Sequence, residues 1–222
     1  MRLRRGTSLS SWKENSQKGT TMSEQYEKNW DNLLNIKTSG RDDSLANTYN
    51  YPYEPTPYKV LERLANSGYI RKKELLVDYG CGKGRVEFFL AYQVKAQVVG
   101  IEYDENMYNK ALENLSNISN NGYVSFTLKN AVDYAFPVEA KHAYFFNPFS
   151  VELLKQVMVN IQNSFYDAPR EIYLYFYYPS DEYISYLMSV DELEFEDEIN
   201  CRDIFHKQDE RERIMIFKFC VY

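Results

Sequence analysis

Residues 75–102 read LLVDYGCGKGRVEFFLAYQVKAQVVGIE. Leu75, Leu76 and Val77 form a short apolar run that stops at Asp78. Gly80, Gly82 and Gly84 then fall at alternate positions. From Arg85 the spacing predicts a helix with Val86, Phe89, Leu90 and Val94 on one face. Gln97 to Ile101 is a second apolar run, closed by Glu102. Strand, glycine loop, helix, strand and acid make one βαβ unit of a parallel sheet, whose ligands bind outside the carboxyl ends of the strands.

Glycines let the backbone turn tightly and let a ligand approach with no Cβ in the way. An acid at the tip of the next strand can accept two hydrogen bonds from a ribose. Glu102 lies 22 positions after Gly80, close to the spacing such folds use. The pattern therefore points to a nucleoside-containing ligand. A nicotinamide-binding loop would read G-x-G-x-x-G, whereas here Arg85 follows Gly84 and Asp78 stands two residues ahead of the first glycine. A carboxylate at that place suits a cation and would repel a pyrophosphate.

The segment VDYGCGKGR resembles the first motif of class I S-adenosylmethionine-dependent methyltransferases. The resemblance implies an α/β, Rossmann-like fold: a mostly parallel seven-stranded sheet with an antiparallel C-terminal strand and helices on both faces. It implies S-adenosylmethionine as cofactor. Asp78 would lie near the methionine amino group, with Tyr79, Gly80, Gly82 and Gly84 along the cofactor, Glu102 on the ribose and Tyr103 against the adenine. The alternative is a βα turn that needs glycine for packing alone.

At 222 residues the chain can bury the core of one domain. Residues 1–21 are expected to be a disordered or non-native leader, 22–52 an extension of helix and loop, and 53–222 a single methyltransferase domain. Met22-Ser-Glu-Gln reads as a natural translation start. The leader lacks the apolar region of a secretory signal, no apolar run approaches the roughly 20 residues needed to span a bilayer, and a cytoplasmic protein is expected. Cys81, Cys201 and Cys220 are widely spaced and odd in number, which suggests a reducing compartment and neither a disulfide framework nor a zinc site. With only His142 and His206, no histidine metal cluster is expected.

The net charge is −6, unevenly spread. Residues 1–21 hold five of the 26 basic side chains and one of the 32 acidic ones, so the remainder stands at 21 against 31, a net of −10. Such a body would not be drawn non-specifically to a nucleic-acid backbone.

Upstream of the glycine loop, Ser23 to Leu34 is predicted as an amphipathic helix with Tyr26, Trp30, Leu33 and Leu34 inward. A polar loop and a Tyr-rich run, residues 49–58, lead to Thr56-Pro57, with Thr56 as the N-cap and Pro57 in the first turn of a helix. This Thr-Pro pair resembles that of amino-methyltransferases acting on adenine or glutamine, where the segment closes over the methionine end of the cofactor. Equally, it is a proline-set helix start that packs tyrosine rings on the sheet. Lys83 and Arg85 read as solvated residues at a helix start.

Downstream, Asp104 should cap a helix with the stripe Met107, Ala111, Leu112, Leu115 and Ile118. Tyr123 to Leu128 is a third strand, after which Asn130-Ala131 stands where the family often carries Asp-Ala beside the adenine, with Asp133, three residues on, as the alternative source of that carboxylate. His142 to Phe146 is a fourth strand, ending in Asn147-Pro148-Phe149-Ser150, with Ser150 capping the next helix. Glu171 to Tyr178, Leu193 to Ile199 and Ile214 to Tyr222 complete the sheet, and Arg202 to Arg213 reads as a solvated hairpin loop.

Asn147-Pro148-Phe149 resembles the Asn-Pro-Pro-Phe/Tyr motif of enzymes that methylate planar amide-like or exocyclic amino nitrogens. By that resemblance Asn147 and the Pro148 carbonyl accept hydrogen bonds from the target N–H and Phe149 stacks on it. With one proline in place of two, Phe149 sits one position earlier, and the segment also reads as a strand-to-helix turn in which Asn and Pro set the bend. The expectation is a methyltransferase acting on nitrogen in an RNA base, a protein side chain or a small molecule. The alternatives are a catalytically silent cofactor-binding subunit of a larger complex and, more distantly, a nicotinamide-dependent enzyme.

Overall fold

The computed structural model describes residues 21–40, 53–118, 122–205 and 209–219. Seven strands form one sheet: β1 (Leu75–Tyr79), β2 (Gln97–Glu102), β3 (Val124–Leu128), β4 (Ala140–Phe145), β5 (Ile172–Tyr177), β6 (Leu193–Asn200) and β7 (Arg213–Phe219), in the order β3-β2-β1-β4-β5-β7-β6. The pairs β3/β2, β2/β1, β1/β4 and β4/β5 are parallel, and β7 runs antiparallel to both β5 and β6. The order reverses between β1 and β4, and a crevice opens where neighbouring connections leave in opposite directions.

Alternate residues of the central strands enter two cores. Leu76, Val98, Tyr144, Tyr175 and Ile216 pack on the face of helices α1 (Met22–Leu34), α2 (Tyr58–Asn66) and α3 (Arg85–Gln93). Val77, Tyr79, Ile101, Phe145, Phe176 and Phe217 pack on the opposite face with α5 (Val151–Asp167) and α6 (Asp181–Leu187). Asp78 shares the phase of Leu76, which aims it at α3. Tyr79 falls in the other phase.

Helix α3 departs from the expected single inner face, since every residue from Arg85 to Ala91 is buried. The first two helices roof it. Trp30 of α1 meets Phe89 edge-on at 5.0 Å, and Tyr58 of α2 lies 5.7 Å from the same ring. The capping box of Thr21 and Glu24 opens α1, but Leu33 points outward and is exposed. Asp104 caps α4 (Glu105–Ser116) by accepting from the Asn106 and Met107 amides, and Leu112 of that helix lies at the surface beyond the buried stripe. Pro57, one residue past the expected Thr56, takes the N-cap of α2. Ser150 is the N-cap of α5, but its hydroxyl makes no capping bond. The charged stretch after β6 begins as a 3-10 turn, Arg202–Ile204, tied to α2 by the Arg63–Asp203 pair. His206, Cys220 and the tyrosines of residues 49–51 lie outside the described residues. No described helix is long and apolar enough to cross a membrane.

Candidate active site

The crevice is lined from β1 and its loop by Asp78, Gly80 and Cys81, from β2 and beyond by Glu102, Tyr103 and Asp104, and from β3's end by Lys129, Asn130 and Ala131. Thr56 closes it on one side, and Phe146, Pro148 and Phe149 close it on the other. Two glycines are required by what touches them. Gly80 sits at φ 82°, and a Cβ there would meet Cβ of Pro148 at 2.6 Å. Gly82, at φ 55°, carries the Tyr53 ring where its Cβ would be. The loop is thus closely packed against both the Asn-Pro-Phe turn and the segment before α2.

Glu102 is 6% exposed and holds the loop in place. Its Oε2 accepts from the Gly82 amide at 2.8 Å, and its Oε1 accepts from the amides of Tyr103 and Asp104, each at 2.9 Å. An ionised carboxylate has about four lone-pair positions, so one remains for a further donor. Burial pushes the Glu102 carboxyl upward, against the pull of those three amides. Asp78 is 3% exposed, and burial, with the negative Glu102 nearby, lifts it to about 7. Among the described residues no cation pairs with Asp78. The crevice is therefore lined by two buried carboxyls, Asp78 and Glu102.

Arg85 is not solvated. It is 3% exposed, and its guanidinium is the junction between the N-terminal segment and the glycine loop. It pairs with Glu27, reaches Thr38 Oγ1 at 2.7 Å and the Thr56 carbonyl at 3.2 Å, lies 3.7 Å from Asp31, and stacks 4.3 Å from the Tyr58 ring centre. Asp31 in turn accepts from the Tyr58 hydroxyl at 2.6 Å and from Thr38 Oγ1 at 2.7 Å. These bonds hold the carboxylate of Asp31 below the usual range even though burial pushes it up. Lys83 also departs from a purely solvated role, with Nζ donating to the Ser39 carbonyl at 3.1 Å and lying over the Tyr53 ring. The hydroxyls of Thr56 and Tyr144 bond at 3.0 Å, and the Tyr53 hydroxyl donates to the Thr38 carbonyl at 2.7 Å.

Of the residues expected along the cofactor, Thr56, Asp78, Gly80, Glu102, Tyr103, Asn130 and Ala131 line the crevice. Gly82 and Gly84 shape the loop behind it, and Pro57 starts α2. The Tyr79 ring turns to the opposite core, stacked on Phe145 at 5.0 Å, because its strand position alternates with Asp78. Asn130 caps the short turn Ala131–Asp133 by accepting from the Val132 amide.

At the Asn-Pro-Phe turn, Asn147 is left-handed at φ 44°, and its buried Oδ1 has no partner. It lies between two lining residues, Phe146 and Pro148, but is not itself one of the lining residues. Phe149 is buried and stands edge-on to Phe145 at 6.4 Å. Sequence reasoning passed over Tyr53, Tyr144 and Phe146, each of which lines the crevice. The clustering of tyrosines before α2 was the available signal for Tyr53. His142 is remote from the crevice and bonds to Glu74 and Tyr175. Among the described residues no His, Cys, Asp and Glu cluster could hold a metal.

Residues 76–164 match the family model described as a methyltransferase domain. Over 81 residues, 36% of this chain, the sequence is 32% identical to a protein-lysine N-methyltransferase of Saccharolobus islandicus (strain REY15A). The chain spans about half the length of that curated relative, the matched part being 50% of it. An RNA methyltransferase from Salinibacter ruber, solved with S-adenosyl-L-homocysteine, superposes at a TM-score of 0.53 and 18% identity, covering 76% of this chain and 95% of that one. A dimethyladenosine transferase from Plasmodium falciparum superposes at 0.51 and 13% identity, covering 72% and 61%. The fold is that of the Rossmann-like methyltransferases.

Proposed function

We propose that the protein is an S-adenosylmethionine-dependent methyltransferase acting on a nitrogen acceptor. The observation that carries this reading is the pair of buried carboxyls, Asp78 and Glu102, at the carboxyl ends of adjacent strands around a glycine loop. A sulfonium nucleoside with an α-ammonium group offers positive charge to Asp78 and ribose hydroxyls to the remaining lone pair of Glu102. A pyrophosphate would meet two negative charges at close range in a dry pocket. Tyr103 and Ala131, with Asn130 at the rim, suit the adenine end.

S-adenosylmethionine, when bound, supplies an electrophilic methyl group for direct displacement. The protein's part is to orient the acceptor nitrogen in line with it, and most of the rate can come from that positioning. By the resemblance Asn147 and the Pro148 carbonyl would accept from the target N–H; Pro148 lines the crevice, whereas the unpartnered Asn147 Oδ1 is buried behind that lining and would have to turn into it. The edge-packed Phe149 ring bounds the space beside them. The methyltransferase domain match and the lysine- and RNA-acting relatives support the reaction class.

The test has two arms. Calorimetry with S-adenosylhomocysteine should show binding that Asp78→Asn and Glu102→Ala weaken about 100-fold. Incubation with methyl-labelled cofactor and cell extract, fractionated into RNA, protein and small molecules, should label one fraction. Absence of both binding and label would remove the assignment.

A further inference from the structure

Glu87, one turn into α3, is 0% exposed, and neither carboxyl oxygen has a hydrogen-bond partner of ordinary geometry. Its Oε1 occupies the space left by Gly100 on β2, where a Cβ could not fit. Gly100 is the cross-strand partner of Asp78, so Glu87 lies beside the carboxyl that lines the crevice without lining the crevice itself. An ionised carboxylate with no donor in such a place would cost several kcal/mol. Two carboxyls in contact resolve this by keeping one proton between them.

The proposal rests on the cofactor reading given above. We propose that Glu87 is a positioning residue: it stays protonated and donates that proton to Asp78, holding Asp78 as an oriented carboxylate for the ammonium end of the bound nucleoside. The groups around the pair favour one proton kept between the two carboxyls. Cys81 of the glycine loop and Glu102 at the end of β2 bear on Glu87 as negative or neutral groups, as does Tyr53 from the segment before α2, while Tyr144 of β4 faces Asp78. The neighbouring cation, Arg85, is committed to Glu27, Thr38 and the Thr56 carbonyl. Burial and the Asp78 charge raise the Glu87 carboxyl well above its ordinary range, and the bond from Glu87 lowers Asp78 relative to what burial alone would do.

Two variants separate a proton donor from a packing residue. S-adenosylhomocysteine binding is titrated against pH for the wild type, Glu87→Gln and Glu87→Leu. Wild-type affinity should weaken on the acid side as Asp78 takes up a proton. Glu87→Gln keeps a neutral donor, so its affinity and acid midpoint should stay within about twofold of the wild type. Glu87→Leu removes the donor, so its midpoint should move up by about one pH unit, a tenfold loss of affinity at fixed pH below it. An unmoved midpoint in Glu87→Leu, or a tenfold loss in Glu87→Gln, overturns the proposal. Infrared difference spectra of wild type minus Glu87→Gln decide the matter even if Glu87→Leu does not fold. A protonated carboxyl band at neutral pH supports the proposal and its absence rejects it. Failure of the wild type to bind at any pH would instead remove the cofactor reading, and the infrared band would still report on the pair.

Discussion

The two ends of the crevice are built in opposite ways. At the glycine-loop end, three backbone amides converge on Glu102, and five groups converge on Arg85. At the Asn-Pro-Phe end, Asn147 is held left-handed with a buried oxygen unbonded, and the buried Ser150 hydroxyl three residues on has no partner either. Tyr178, just past the neighbouring β5, is also left-handed at φ 54°. Strained backbone and unpaired polar atoms cost free energy and persist where the surrounding structure forces them. The Glu102 and Arg85 contacts are dense internal bonding, with Glu87 the unpartnered exception beside them, whereas the turn at Asn147 has few internal bonds of its own.

Breaking the bonded end should give the largest effect. Arg85→Met leaves the buried Asp31 and the half-buried Glu27 without their cation. The expected loss is about 3–5 kcal/mol of stability, or roughly 10 °C in thermal midpoint for a chain of this size. Hydrogen exchange should show α1 released first. A midpoint unchanged from wild type would mean that the N-terminal helix is not fastened through this residue.

The sparsely bonded end should respond in rate and not in stability. Asn147→Gly accepts φ 44° without strain and removes only the amide. Methyl transfer should fall about 100-fold or more, the effect of one positioned hydrogen-bonding group, with S-adenosylhomocysteine affinity within about twofold. Retained transfer would move the acceptor site elsewhere along the crevice. Glu102→Ala should do the converse. Affinity should fall about 100-fold, since hydrogen bonds to a charged group carry about 1.5–3 kcal/mol each, and the Gly82 amide loses its acceptor as well.

What was legible in the sequence follows the same division. Asp78, Gly80 and Glu102 could be read because their spacing is local to one βαβ unit. Arg85 could not, because a charged residue at a helix start is solvated unless another element covers it. That element, α1, lies more than fifty residues upstream. Glu87 was hidden for the same reason: it reads as a first-turn acid on the polar face, and only the roof of α1 and α2 makes that face interior. Tyr79 illustrates a different miss, since the strand's period of two sends it away from the site that its neighbours line. At the Asn-Pro-Phe end the turn was visible, but its left-handed Asn147 was not, because Asn, Pro and Phe are compatible with several bends.

The smallest of the expected effects tests the electrostatic half of the comparison. A carboxyl raised by burial from its ordinary value to about 7 makes the folded state bind a proton that the unfolded chain has already released. The Asp78 contribution is thus fully present below the unfolded value of about 4 and is lost as pH rises through 7. The ligand-free wild type should accordingly lose thermal stability between about pH 4 and 7, and Asp78→Asn, which carries no proton to lose, should show a flatter profile. Above pH 7 the variant should melt several degrees higher than the wild type while binding S-adenosylhomocysteine far more weakly. That inversion, a more stable protein with an emptier function, is what a carboxylate retained for a cationic ligand predicts. If Asp78→Asn were instead less stable than wild type at alkaline pH, Asp78 would be contributing to the fold through bonds beyond the one from Glu87, and its charge could not be assigned to the ligand.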